Sequence, residues 1–398
     1  MKFIDLHCDT AGRMFYEKLN LNENICKVDL KKLKKGNCLG QVFAIFVDQK
    51  LNFNPYDEFQ KIYDNFIKEI KLNSDYITVV RNIDELNKAE NENKIGAFLS
   101  IEEGEVIRGS IKKLHEVYDK GIRIITITWN YKNKLGYPNF QFKYKNKGLT
   151  EKGKNQLETY LARGGNLFIL TDTGRQEVMN PFLSKLGIKM EEYQLAQSSA
   201  DFSPNLILAK ATRESGKLTF GFKDDFPKYD LRVSMPGCVA LTCSDNDYGF
   251  QYTPILETNA KGVWIEKEQT DLQESPVECN ASAGEKEQTY ITAYALSRQL
   301  KDKEQRIIIS GDADCISNTE LTLSREGYRS GNFNLIIESF RWLSGGEFPI
   351  DIRRPHCTDN KLSIGVKDIG TMKTIFIIII PAILLLIGVG IWFFRRRN

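Results

Sequence analysis

Ile375 to Phe394 reads IFIIIIPAILLLIGVGIWFF, a run of 20 residues without a charge. That is the length a helix needs to cross the hydrocarbon core of a bilayer, and a soluble helix of this length would carry a polar face. Pro381 is tolerated in a membrane helix. Trp392 stands where an interfacial aromatic is expected, and Arg395, Arg396 and Arg397 follow at once. The sequence therefore predicts a single C-terminal transmembrane helix with an Arg-rich tail, residues 371–398, and a membrane as the first partner. Three arginines outweigh Lys367 and Lys373 on the other flank, which places the C-terminus on the cytoplasmic side. The N-terminal stretch MKFIDLHCDTAGRMFYEKLN has no apolar core of signal-peptide length, so the side occupied by the body stays open.

The rest of the 398 residues must fold on their own account. With 41% hydrophobic residues the chain has material for two or three domains of ordinary size. Lys and Arg number 55 against 52 Asp and Glu, a balance without the concentrated basic face of a nucleic-acid binder. Eight scattered cysteines, none in a CxxC pair, read as free thiols rather than a disulfide scaffold. Gly148 to Asn155 approaches a phosphate-binding loop, but it lacks the terminal Ser or Thr and follows no buried strand, so no nucleotide is expected.

Composition changes near residue 150. Residues 1–150 hold 21 Lys and 4 Arg, residues 151–398 hold 16 Lys and 14 Arg. Charge does not account for an exchange of one cation for another, so two segments of different history are indicated. Before the seam, Phe3–Leu6, Gln41–Val47, Ala97–Ile101 and Ile122–Thr128 read as buried strands, with Tyr56–Ile70 and Ile111–Asp119 as amphipathic helices. This alternation predicts a parallel sheet with covering helices, either open or half of a barrel. After the seam, a helix over Lys154–Arg163 and a strand over Leu167–Leu170 restart an α/β pattern. Helices are read over Gln176–Leu186, Ile291–Leu300 and Asn334–Leu343, strands over Pro204–Lys210, Val239–Thr242, Gly262–Ile265 and Arg306–Ser310, and a loop over 266–289.

Phe3 to Thr10 reads FIDLHCDT. His7 and Asp9 lie two apart at a strand end and emerge on one side; an imidazole and a carboxylate there can grip a cation, although the pair alone fits equally a histidine hydrogen-bonded to its neighbour. A second strand, AFLSIEEG, ends in Glu102 and Glu103, and a third ends in Trp129 and Asn130. Polar residues gathered at the same end of several strands are how a barrel assembles its site.

FIDLHCDT, the GQVFAIFV run from Gly40, AFLSIEEG, the GIRIITITWNYKN run from Gly121 and GLTEKGK from Gly148 together resemble the membrane (renal-type) dipeptidase family over residues 1–154. The resemblance implies the first half of a (β/α)8 barrel whose complete form holds two zinc ions and hydrolyses dipeptides. It assigns His7 and Asp9 to the first metal and Glu103 to a bridge between metals, with Trp129 and Asn130 as substrate-side candidates. The family's second metal needs two later histidines. Only His115, on a helix, and His356, near the membrane, remain, and Asp172 falls where the first of those histidines would stand. One weak zinc site and an incomplete catalytic set are expected. A fifth barrel strand at Leu167–Leu170, paired beside Ile122–Thr128, would bring Asp172 to His7.

Leu157–Leu170, Arg306–Asn318 (RIIISGDADCISN), Gly331–Pro355 and the terminal span resemble the GldG-like auxiliary family of ABC transporters. That implies a second α/β sheet domain over 155–370 and, as partners, permease and ATPase subunits. Asp312 and Asp314 read best as turn or helix caps, and Arg353 and Arg354 as ordinary flanking charges. The expectation is a membrane-anchored, noncatalytic fusion. A tethered zinc dipeptidase and a binding module are the alternatives.

Overall fold

A computed structural model describes residues 2–50, 54–138, 141–144, 147–199, 201–244, 249–268, 272, 277–301, 303–347 and 369–397. The chain divides into two compact units, Met1–Pro349 and Ile350–Asn398. His356, Arg353 and Arg354 lie outside the described residues.

The first unit opens with β1 (Phe3–Cys8), α1 (Thr10–Glu17), α2 (Leu30–Lys35), β2 (Cys38–Phe46) and α3 (Pro55–Leu72). It continues through β3 (Ile77–Val79), α4 (Ile83–Asn91), β4 (Ile95–Glu102), α5 (Ile111–Asp119) and β5 (Ile122–Thr126). The five strands form one parallel, curled sheet. β2 lies between β1 and β4, while β3 and β5 share the other edge of β4, pairing with its first and second halves. α3 shows why the helices lie where they do. Asn54 accepts from the Tyr56 N–H, Pro55 takes the first position, and Asp57 and Glu58 complement the dipole of the first turn. Phe59, Ile62, Phe66 and Ile70 then recur at helical spacing and pack into one core with Phe43, Ile45, Leu99 and Ile101 of the sheet. On its other face, Gly40 and Gly96 leave room for Leu86 of α4, whose methyl would sit 2.4 Å from a Cβ at Gly96. Among the described residues β1 pairs only with β2 and β5 only with β4, so the sheet keeps two open edges. Phe3, Ile4 and Leu6 on β1 and Ile124 on β5 are exposed there, Leu6 by 72%.

Beyond the seam come α6 (Glu151–Ala162), β6 (Leu167–Leu170), α7 (Gln176–Leu183), β7 (Ile188–Gln197), β8 (Leu206–Ala211), α8 (Phe226–Tyr229), β9 (Leu231–Pro236) and β10 (Val239–Cys243). They are followed by β11 (Gln251–Glu257), β12 (Val263–Ile265), β13 (Ile291–Gln299), β14 (Glu304–Ser310), α9 (Asn318–Thr322), β15 (Arg329–Ser330) and α10 (Asn332–Leu343). Seven strands make a mixed, largely antiparallel sheet in the order β15-β9-β8-β11-β13-β14-β6, and β10-β7-β12 make a smaller antiparallel one. One core, with Phe222, Phe226, Leu335 and Trp342, packs on one face of the large sheet; another, with Leu161, Leu183, Leu186, Met190 and Leu241, packs on the other.

Two expectations fail here for physical reasons. Leu167–Leu170 forms a strand but does not join β5. It pairs in parallel with β14, Leu167 opposite Ile307 and Leu170 opposite Ser310. The turn before it is fastened to that sheet: Gln305 Nε2 donates to the carbonyls of Leu161 and Gly165 at 3.0 and 2.6 Å, and Arg298 Nη2 to Leu161 at 3.1 Å. Ile291–Leu300 reads as a helix but is strand β13. Ala293 and Ala295 enter one core and Tyr294 and Leu296 the other, so both faces are buried and no polar alternation marks the strand.

In the second unit, α11 (Ile369–Thr374), a π turn over Ile375–Ile379 and α12 (Ile380–Arg397) run on continuously. The π turn precedes Pro381, whose missing N–H and bulky ring forbid a regular hydrogen bond to the turn before. Gly370–Val389 is long and apolar enough to cross a membrane, with mean hydropathy 2.6.

Candidate functional site

The parallel sheet places the C-terminal ends of β1, β2, β4 and β5 together. In β4, Leu99 and Ile101 face the core under α3, so alternation turns Ser100 and Glu102 to the opposite face. His7, near the end of β1, meets Glu102 there: Nε2 lies 3.6 Å from Oε2 of Glu102 and 3.3 Å from Oδ1 of Asp9. Ligand atoms of the three residues all lie within 4.8 Å of one another. Asp9 occupies the N-cap position of α1, but its side chain caps nothing, so its carboxylate is not committed to the helix. Cys8 points to the opposite side into the core, and burial pushes its thiol up to about 12. Glu102 titrates above the usual carboxylate range, first because it is partly buried; His7 pulls the value down and Asp9 pushes it up. Two carboxylates beside one imidazole form a pocket of negative charge suited to a cation.

Glu103 is not in this cluster. Its side chain is buried, at 1% exposure, and accepts from Asn133 Nδ2 at 2.6 Å and from the Glu105 N–H at 3.1 Å. Burial raises its pKa, and these two hydrogen bonds lower it. Its backbone sits at φ 104°, a strained region for a residue with a side chain. Gly104 follows against the Ile127 carbonyl, where a Cβ would lie 2.6 Å from the oxygen. Asn133 ties the arrangement together. Besides Glu103 it donates to the Ile127 carbonyl at 2.6 Å, and its Oδ1 accepts from the N–H groups of Leu135 and Gly136 at 2.8 and 2.9 Å. The second glutamate of the pair thus fixes the loop, and the first faces His7. Period-two alternation from Leu99 and Ile101 distinguishes the two; choosing the glutamate next to glycine overlooks it.

Trp129 and Asn130 follow β5. Trp129 is about half exposed, and the Asn130 carbonyl accepts from Gln141 Nε2 at 2.8 Å. His115 is exposed on α5. Asp172 is not brought to His7. It follows β6 in the other sheet, beside Asp312 and Asp314 at the end of β14, and burial first and then Asp314 raise its pKa. Asp312 accepts from the N–H groups of Asp314 and Cys315 at 3.1 and 2.8 Å and so fastens the turn after β14. Thr150, in the stretch that approaches a phosphate loop, caps α6 by accepting from the Gly153 N–H. Among the described residues all seven cysteines are free.

Residues 1–164 match the membrane dipeptidase family, peptidase family M19. This dipeptidase-like region contains the whole His7, Asp9 and Glu102 cluster. Among solved structures the chain is similar to dipeptidase AC, a metallo peptidase of family M19, at 19% identity over 40% of this chain and 53% of that one, TM-score 0.34. It is also similar to a metallo peptidase from Rhodobacter sphaeroides liganded with a phosphinate mimic of the dipeptide L-Ala-D-Ala, at 17% identity over 40% and 56%, TM-score 0.35. An amidohydrolase from Pseudomonas aeruginosa matches at 16% identity over 42% and 43%, TM-score 0.30. The chain spans about half the length of these solved structures. No curated protein matches it. The family match stops at residue 164, and the resemblance of residues 155–398 to a transporter auxiliary family finds no counterpart in these comparisons.

Proposed function

We propose that the dipeptidase-like region holds one divalent metal ion, zinc by its donor set, through His7, Asp9 and Glu102, and that it acts at most weakly on dipeptides. The convergence of those three ligand atoms within 4.8 Å carries the reading. One imidazole and two carboxylates are ligands that zinc accepts, and three protein ligands leave a position open. When bound, the ion would supply Lewis-acid polarisation of a carbonyl and a lowered pKa for water. The chain's own residues do the positioning: Glu103 and Asn133 lock the ends of β4 and β5, and Trp129 and Asn130 offer a substrate-side surface. A second ion of the two-zinc kind needs further imidazoles, and the other described histidine is exposed on α5 in no such cluster. Attachment to a bilayer is supported by the hydropathy of Gly370–Val389. Association with permease and ATPase subunits of a transporter rests on motif order in residues 155–398 alone.

Zinc titration calorimetry on the detergent-solubilised full chain tests the metal reading. One site is expected. Glu102→Gln should weaken it by at least the roughly 10–100-fold that loss of even an outer partner costs, while Glu103→Gln, which keeps an acceptor for Asn133, should leave it within a few-fold. Unchanged affinity in Glu102→Gln refutes the ligand set. Rapid dipeptide hydrolysis that His7→Ala abolishes refutes the expectation of weak activity.

A further inference from the structure

A cleft of about 800 Å³ opens on the second part of the first unit, far along the chain from the metal cluster. The end of β8, the start of β9, a 3-10 turn over Glu214–Lys217 and a π turn over Gly221–Asp225 form its walls. Five cationic side chains line it, Lys210, Arg213, Lys217, Lys223 and Arg232, against two carboxylates, Glu214 and Asp230. Phe222 and Phe226, both buried in the core beneath, give it an apolar floor. The two turns are pressed together: a Cβ on Gly216 would lie 3.2 Å from the Lys223 Cα. A π turn is uncommon and recurs at functional sites. This one places Phe222 in the floor and Lys223 on the rim.

Among the described residues, two of the five cations are paired within the fold and three are not. Lys210 pairs with Glu257 at 3.4 Å, and Arg232 Nη2 donates to Asp230 at 2.8 Å. Asp230 reaches it from the left-handed region, at φ 48°. The other end of the guanidinium, Nη1, is buried and has no hydrogen-bond partner among the described residues. A charged donor left unmatched is costly; Nη1 itself is closed off from solvent, and Arg232 lines the cleft through the rest of its side chain. Arg213, Lys217 and Lys223 are exposed and form no ion pair among the described residues. Like charges held around one concavity repel each other unless an anion joins them.

We infer that this cleft binds a phosphoryl anion carrying an apolar group, with Arg232 and the Lys217–Lys223 rim on the phosphate and Phe222 and Phe226 under the apolar part. Guanidinium and ammonium groups together match the several oxygens and multiple charge of a phosphate monoester better than a single carboxylate. An apolar floor adds affinity for a ligand with a hydrocarbon portion. A soluble phosphate ester and the headgroup of a phospholipid share that chemistry.

Calorimetry on the full chain in a nonionic detergent distinguishes the sources with three probes: inorganic phosphate, glycerol 3-phosphate and dihexanoyl phosphatidic acid below its micelle concentration. Saturable binding that weakens with salt is expected. Because both side chains are exposed and unpaired, Lys217→Ala with Lys223→Ala should melt like the wild type and bind about tenfold more weakly or worse. Dihexanoyl phosphatidic acid binding at least about tenfold more tightly than glycerol 3-phosphate would assign the site to a lipid headgroup; equal affinities would show that no apolar part is held and overturn the place given to Phe222 and Phe226. Binding by none of the three, or unchanged affinity in the double variant, overturns the inference.

Discussion

Replacing Asn133 by Ala isolates the loop that fixes the end of β4 beside His7, Asp9 and Glu102. The wild-type side chain makes four hydrogen bonds, one to the Glu103 carboxylate, one to the Ile127 carbonyl and two from the N–H groups of Leu135 and Gly136. A bond to a charged group contributes about 1.5–3 kcal/mol and a neutral one about 1. With some loss recovered as water enters the gap, the variant should be about 3–5 kcal/mol less stable at pH 7. The loss should also depend on pH. Burial already raises the Glu103 pKa above 4.5, and Asn133 opposes that rise. Without Asn133 the folded-state value climbs further. A carboxyl whose folded pKa is raised favours the fold while protonated and loses that contribution as pH rises above its unfolded value. The deficit of Asn133→Ala should therefore be smallest near pH 4 and grow toward pH 7. Urea unfolding of both proteins across this range measures it. A deficit below about 1 kcal/mol, or one flat with pH, would refute the account of Asn133 as the partner of an ionised Glu103.

Gly153 lies in α6 where a Cβ would fall 2.0 Å from the Leu135 carbonyl oxygen, so Gly153→Ala should lower stability by about 1–3 kcal/mol despite its better helix propensity; a stabilised variant by thermal melting would contradict this packing. Asp312 is fully buried with its pKa raised to about 8, by burial first. Its contribution to stability is thus present at low pH and lost between its ordinary 3.8 and about 8, by up to about 1.4 kcal/mol per pH unit. Asp312→Asn should flatten that slope in urea titrations, and an equally steep slope in the variant would assign it to other groups.

The strands of the first sheet are legible because their apolar runs are flanked by helices with a clear stripe, as in α3. The site is legible to the level of its strand ends: His7 and Asp9 follow from period-two reasoning. Glu102 is separated from Glu103 only by carrying the same alternation along β4. Asn133 gives no signal at all, since an asparagine in a Lys- and Asn-rich loop looks like solvent-facing turn chemistry. In the second sheet, burial on both faces erases periodicity, which is why β13 resembles a helix. The partner of β6 is fixed by Gln305 and Arg298, some 140 residues away, and local sequence carries no trace of that.

α6 gives the composition seam a mechanical meaning. Its N-terminal end is held by the first part of the chain: Thr150 donates to the Leu135 carbonyl, Lys152 to Arg108 and Gln156 to Gly109. Its C-terminal end is held by the second, through Arg298 and Gln305 on the Leu161 carbonyl. A 12-residue helix is a rod of about 18 Å, so neither end can let go without disturbing the other. Whatever the origins of the two segments, their stabilities are no longer separate quantities. Loosening the loop around Leu135 should therefore weaken the seating of β6.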